Sequence, residues 1–289
     1  MNDQALQLRM QIERKKNDDA NKAKTISIVS GKGGVGKSNF AINFALQLIH
    51  LNKRVIIFDL DIGMGNIDIL LGLQAKKTVI DMLEQKLSIE EIIEYGPKDL
   101  AYIAGGSGLT NIFTMGDEKV NLFLQEYEKI SHLYDYILFD LGAGVSEHGL
   151  FFTLSADETF VITTPEPTAI TDAYSIVKYV ASKEVKMPFY VVMNRVKKKQ
   201  IGEEMLERFS KVIKQFLQID IYKLGVLPID DIVRDAVMRQ TPYILLDERA
   251  PISKAMKDLV ISYIDEIPPE TSRLKRSFIQ RLRQFFVGR

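Results

Sequence analysis

The stretch Thr25-Ile26-Ser27-Ile28-Val29-Ser30-Gly31-Lys32-Gly33-Gly34-Val35-Gly36-Lys37-Ser38 decides how this 289-residue chain is read. Residues 25–30 are apolar and β-branched, the signature of a buried strand. Residues 31–38 fit G-x-x-x-x-G-K-[ST], and residues 36–52 carry a helical apolar pattern. Strand, glycine-rich loop and helix in that order predict a phosphate cradle. The glycines let the backbone wrap close to an anion with its N–H groups turned inward, and the helix N-terminus adds favourable dipole. The expected nucleotide contacts are Gly31, Lys32, Gly33, Gly34, Val35, Gly36, Lys37, Ser38 and Asn39. Lys37 is expected on the β- and γ-phosphates and Ser38 on Mg²⁺.

Working outward, six more short apolar runs follow at 54–59, 100–104, 135–140, 158–163, 189–194 and 222–227. Most are separated by helix-length stretches: 36–52, 78–94, 117–132, 168–183 and 201–216. Near-continuous apolar strands joined by crossover helices mean an α/β, doubly wound, mostly parallel sheet with helices on both faces. The expected division is 1–24 as an N-terminal helix and charged linker, 25–267 as the main domain, and 268–289 as a C-terminal helix after Pro268-Pro269.

Composition narrows the chemistry. With no cysteine, disulfides, thiolate catalysis, Cys-ligated zinc and iron–sulfur clusters are excluded. The three histidines, His50, His132 and His148, lack metal-ligand spacing. Net charge is zero but uneven. Residues 1–24 carry six Lys/Arg against four acids and residues 271–289 carry six Lys/Arg and none, so 25–270 hold 26 basic and 34 acidic residues. That acidic body argues against general nucleic-acid binding. No apolar run approaches the roughly 20 residues that span a bilayer. A cytoplasmic protein is expected.

Lys32 is a second lysine near the start of the loop. The segment KGGVGKS is the deviant form of the phosphate loop, and with it residues 25–265 resemble the MinD/ParA group of P-loop ATPases. The resemblance implies ATP hydrolysis and an ATP-dependent homodimer in which Lys32 reaches the partner's nucleotide. In FDLDIGMGNID, Asp61 matches the aspartate that orients the attacking water and couples to Mg²⁺. Asp59 matches an acidic strand-end residue, and Asn66 one that approaches the dimer interface. Asp140, in YILFDLGAG, resembles the second Mg²⁺-holding carboxylate, and Gly142-Ala143-Gly144 the second switch. Strand-end carboxylates of this kind also serve as helix N-caps.

The guanine motif N-K-x-D is absent. Asn194-Arg195 and the segment Leu227-Pro228-Ile229-Asp230 resemble the adenine pocket of the group, which points to ATP rather than GTP. Glu166, in Thr164-Pro165-Glu166-Pro167, matches a family residue near the partner's nucleotide.

The two tails refine the resemblance. On a helical wheel Leu274, Phe278, Ile279, Leu282, Phe285 and Phe286 form an apolar arc about 140° wide. Arg273, Arg276, Arg281 and Arg283 lie outside it, a cationic rim suited to an anionic membrane surface. Such a helix can also dock on the body or on a partner, but the terminal position and six basic charges favour membrane, and MinD-like proteins end in this way. At the other end Asp3-Gln4-Ala5-Leu6-Gln7-Leu8-Arg9 matches D-Q-A-x-x-L-R, the N-terminal motif of the flagellar-number regulators of the FlhG (YlxH, FleN) type. Asp3, Gln4, Ala5, Leu8 and Arg9 are then expected to meet the GTPase FlhF and activate it, and flagellar C-ring components are expected as further partners. The alternatives are a MinD division-site ATPase, against which the N-terminal extension argues, and a ParA-type DNA-partition ATPase, against which the acidic body argues.

Overall fold

The computed structural model describes residues 22–61, 67–106, 116–144, 147–183, 187–265 and 277–285. Eight strands form one sheet in the order β3-β4-β2-β5-β1-β6-β7-β8. They are β1 (Lys24–Val29), β2 (Val55–Leu60), β3 (Glu94–Tyr95), β4 (Ala101–Ala104), β5 (Tyr136–Leu141), β6 (Glu158–Thr163), β7 (Phe189–Val196) and β8 (Tyr222–Pro228). All pairings are parallel except β3 with β4. The central strands carry side chains that are buried on both faces, which is why VIIFDL and ETFVIT show no polar alternation.

One face is covered by α1 (Lys37–His50) and α10 (Pro251–Asp265), whose Phe44 and Tyr263 rings pack on Phe160 of β6. The other is covered by α4 (Asp117–Ser131), α5 (Glu147–Ser155), α6 (Pro167–Ala181) and α7 (Lys199–Leu217). Shorter helices are α2 (Ile67–Leu71), α3 (Val79–Gln85), α8 (Asp231–Met238), α9 (Tyr243–Leu246) and α11 (Phe278–Gln284). The seven expected strands are present, and the two-residue β3 is an addition. The expected 78–94 helix is not continuous. Thr78 and Asp81 cap α3, Lys86 ends it with φ 55°, and a second capping box at Ser88 and Glu91 starts a separate 3-10 turn before β3.

β1 leads through α1 to β2 on one side, and its neighbour β5 leads through α5 to β6 on the other, so the connections from these two adjacent strands leave their C-terminal ends in opposite directions. That is the switch point at which α/β sheets form a ligand crevice, and the glycine-rich loop lies there.

The C-terminal helix is docked. Ser277 caps α11 through a capping box with Gln280. Phe278 is 5% exposed and Leu282 1%. The Phe278 ring lies 4.5 Å from that of Tyr127 and 5.2 Å from that of Phe139, and Phe285 stacks on Phe151 at 4.9 Å. Ile279 is partly buried against the same cluster. Arg281 departs from the rim position read on the wheel. It is 7% exposed, and its guanidinium donates to the Ser155 carbonyl at 2.8 Å and to Asp157 Oδ1 at 2.6 Å. A long side chain beside an apolar arc reached two acceptors at the α5–β6 junction instead of solvent. Leu274 and Phe286, and the N-terminal Asp3, Gln4, Ala5, Leu8 and Arg9, lie outside the described residues, as does Asn66.

Candidate nucleotide site

The loop leaves β1 at Ser30 and enters α1 at Lys37. Gly36 has φ 93°, and a Cβ there would lie 2.6 Å from Asn194 Nδ2. Gly31 packs so closely on α6 that a Cβ would fall 2.3 Å from that of Asp172. Both positions require glycine, one for conformation and one for space. Ser30 joins the loop to the Gly142–Gly144 segment: its hydroxyl donates to the Lys32 carbonyl at 3.1 Å, and its carbonyl accepts from Gly144 N–H at 2.9 Å. Ser30 carries no motif signal beyond preceding Gly31.

Lys37 is 6% exposed and its ammonium donates to Asp140 Oδ1 at 2.5 Å, with Asp61 Oδ2 3.9 Å away. β2 and β5 run in register with Asp59 opposite Asp140. In a parallel ladder such partners share a face, and Asp61, two residues on, points the same way. The face is that of α1, and Asp140 and Asp61 converge on the N-terminus that carries Lys37, while the Asp59 carboxylate takes backbone N–H groups. Burial holds the Asp61 carboxyl above the ordinary aspartate range. The Asp140 charge adds to that and the Lys37 charge opposes it. Asp61 also lies over Gly142, where a Cβ would sit 3.1 Å from its Oδ1.

Asp140 is fully buried, and its Oδ2 has no hydrogen-bond partner among the described residues. A buried carboxylate oxygen left open beside Lys37 and Asp61 fits an Mg²⁺ ion, which takes hard oxygen donors and keeps several waters. No cluster of three or more His, Asp and Glu side chains forms an all-protein cage among the described residues. Asn39 follows in the first turn of α1, where its carbonyl accepts from Asn43.

Lys32 and Glu166 come together as an exposed ion pair at 3.1 Å, with Thr168 at 3.5 Å from the ammonium. An exposed pair contributes about 0–1 kcal/mol, so it releases Lys32 readily. On the far side, Asn194 donates to the Val35 carbonyl at 2.8 Å and accepts from Arg195 N–H at 2.9 Å, which makes it a brace for the loop. Arg195 has φ 57° and is exposed. Leu227 is buried in the α1-side core and Pro228 ends β8. Asp230 caps α8, accepting from Ile232 N–H and also from Ile252 N–H, each at 3.2 Å.

Away from this crevice, α6 and α7 enclose an open apolar groove of about 460 Å³ lined by Ile170, Tyr174, Met205, Phe209 and Phe216, with Arg208 at its side. Phe216 is 64% exposed.

A glycine-rich loop at the sheet's switch point, leading into a helix whose first residue is a buried lysine faced by strand-end carboxylates, defines a P-loop NTPase. A family model described as the NUBPL iron-transfer P-loop NTPase (ParA) matches residues 21–264. The chain belongs to this ParA family of P-loop NTPases. Two curated relatives are flagellar. The antiactivator FleN of Pseudomonas aeruginosa is 31% identical over 261 residues, covering 90% of this chain and 93% of the relative. The flagellum site-determining protein YlxH of Helicobacter pylori is 34% identical over 273 residues, covering 92% and 89%. Among solved structures, the MinC:MinD cell division complex of Aquifex aeolicus matches with TM-score 0.67 and 30% identity, covering 88% of this chain and 99% of that one. The chain is a MinD/ParA-type ATPase similar to FleN and YlxH, and its family implies nucleotide hydrolysis. Iron transfer belongs to the family description; this chain has no cysteine to hold a cluster. No helix among the described residues is long and apolar enough to cross a membrane.

Proposed function

We propose that this protein is an FlhG-type ATPase that sets flagellar number or placement, cycling between a monomer and an ATP-bound, membrane-associated dimer. The observation that carries this reading is the pair of lysines on one glycine-rich loop, Lys37 buried against Asp140 and Lys32 exposed on a weak tether. Likeness to two flagellar relatives along nearly the whole chain supports the cellular role.

In the mechanism, the loop backbone from Gly31 to Ser38 receives the phosphates, and Lys37 turns from Asp140 to the β- and γ-phosphoryl oxygens. Asp140 and Ser38 would hold Mg²⁺, with Asp61 coupled to it. When bound there, Mg²⁺ would supply neutralisation of the charge that develops on the phosphoryl group. Asp61 orients the attacking water, and its position over Gly142 links the two switches. Lys32 leaves Glu166 and meets the partner's nucleotide, which makes dimerisation depend on the γ-phosphate. Asn194, Arg195 and the backbone at Leu227-Pro228 line the adenine side, with Asp230 holding that wall through α8.

The apolar face of α11 cannot lie in the core and in lipid at once, so membrane association requires undocking. One such helix gives marginal lipid affinity, and two on a dimer gain about 10²–10⁴-fold in avidity. The N-terminal residues Asp3, Gln4, Ala5, Leu8 and Arg9 are assigned to FlhF and its activation. The test is genetic and direct. Cells lacking the protein should change flagellar number or placement, and cells carrying Asp61→Ala should not be restored. Unchanged flagellation in the deletion strain contradicts the role.

A further inference from the structure

We propose that Asp59 is a positioning residue for hydrolysis, setting Asp61 by holding backbone N–H groups at both ends of the first switch. The inference rests on the assignment of Asp61 as the water-orienting carboxylate. Asp59 is 4% exposed. A charge so buried must be compensated by close donors. Its Oδ1 accepts from the N–H of Asp61 at 3.2 Å, and its Oδ2 from the N–H of Ile67 at 3.1 Å. Ile67 opens α2, so that N–H is one of the donors a helix leaves without an internal partner.

The anchor itself is rigid. Asp59 pairs with Asp140 on β5 and with Ala104 on β4, and its carbonyl accepts from Gly105 N–H at 2.8 Å. Asp61 lies beyond the last ladder pair, Leu60 with Leu141. Its backbone is therefore fixed by the Asp59 carboxylate where the sheet no longer fixes it. What depends on that placement is the Asp61 carboxylate, 3.9 Å from Lys37 Nζ and seated over Gly142. With a backbone N–H on each carboxylate oxygen, Asp59 is placed to act through Asp61. Asn at position 59 keeps the shape but replaces one acceptor with a donor, which then opposes an N–H. Glu keeps the charge but moves both acceptors outward.

The experiment compares full-length wild type with Asp59→Asn, Asp59→Glu and Asp61→Ala. It reads ATP turnover, affinity for a fluorescent ADP, Mg²⁺ dependence, and ATP-induced dimer by size-exclusion chromatography. Misplacing a reacting group by about 1 Å costs about 10²-fold, so both Asp59 variants should lose roughly 10- to 100-fold in kcat. Their ADP affinity and half-saturating Mg²⁺ should stay within about twofold of wild type, a loss confined to the transition state. They should accumulate the ATP dimer as Asp61→Ala does, which a merely loosened fold would not. Turnover within about twofold of wild type for Asp59→Asn overturns the proposal, as does a parallel loss of ADP affinity or a shifted Mg²⁺ requirement. Wild-type turnover by Asp61→Ala overturns the underlying reading along with it. A dead Asp61→Ala beside an active Asp59→Asn overturns the Asp59 proposal alone.

Discussion

Replacing Arg281 with alanine should strengthen membrane binding, although it removes a positive charge from a helix assigned to an anionic surface. In the docked state the bonds of the guanidinium include one to a neutral carbonyl, Ser155, and a charge-assisted one to Asp157. A neutral bond contributes about 0.5–1.5 kcal/mol and one to a charged group about 1.5–3 kcal/mol. Truncation also leaves the Ser155 carbonyl buried beside an empty site, while Asp157 Oδ2 keeps the N–H of Thr25. A loss of about 2–4 kcal/mol in docking follows, a shift of roughly 30- to 1,000-fold toward the undocked helix. The opposing loss of one basic side chain at the lipid surface is only about 1 kcal/mol. Undocking therefore wins. Hydrogen exchange over 278–284 should accelerate in Arg281→Ala without nucleotide, and sedimentation with anionic vesicles should rise. Arg283→Ala is the control: its side chain is exposed, so exchange should be unchanged and vesicle binding should fall about fivefold. Wild-type exchange together with reduced vesicle binding in Arg281→Ala would refute the reasoning and return Arg281 to a solvent-facing rim.

Lys37→Ala should abolish nucleotide binding by the monomer, whereas Lys32→Ala should bind ADP within about twofold of wild type and fail to dimerise, since among the described residues Lys32 is held by an exposed pair with Glu166 and a long contact to Thr168; fluorescent-nucleotide titration separates the two. Asp61→Asn should raise the thermal stability of the nucleotide-free protein at pH 7. The folded pKa is raised by burial, so the penalty exists only while the group is ionised, and the gain should shrink as pH falls toward that pKa; melting curves at several pH values check the sign. Gly36→Ala places a Cβ at φ 93° and 2.6 Å from the Asn194 amide, and should cost about 1–3 kcal/mol of stability and most of the nucleotide affinity, measured by denaturant unfolding and titration.

Much of the fold could be read from residues 25–265 because fully buried parallel strands advertise themselves. VIIFDL, YILFDL and ETFVIT are apolar runs too short for helices, spaced by helical patterns. The 78–94 region misled for a physical reason. Val79, Met82 and Leu83, then Ile89, Ile92 and Ile93, keep three- and four-residue spacing on each side of the break, and Met82 and Ile89 lie seven residues apart across it, so periodicity continues where the backbone does not. The break lay in the paired caps, Thr78 with Asp81 and Ser88 with Glu91. The phosphate loop was legible because local spacing carries it, and Lys32, Asp61 and Asp140 were expected beside it from the resemblance to MinD/ParA ATPases. The anchoring of Asp61 by Asp59, the brace from Asn194 to Val35, and the burial of Arg281 were not. Each depends on which strands or helices become neighbours: β2 beside β4 and β5, β7 near the loop, α11 against the α5–β6 junction. A helical wheel shows where a side chain points and not what it meets.

The account stands most directly on the behaviour of Asp61→Ala with ATP and Mg²⁺, followed by size-exclusion chromatography with light scattering. Binding should survive while water orientation is lost, so the account predicts a stable dimer carrying one uncleaved ATP per subunit, reverting to monomer when Lys32→Ala is added. A protein that holds ATP at saturation and remains monomeric would contradict it.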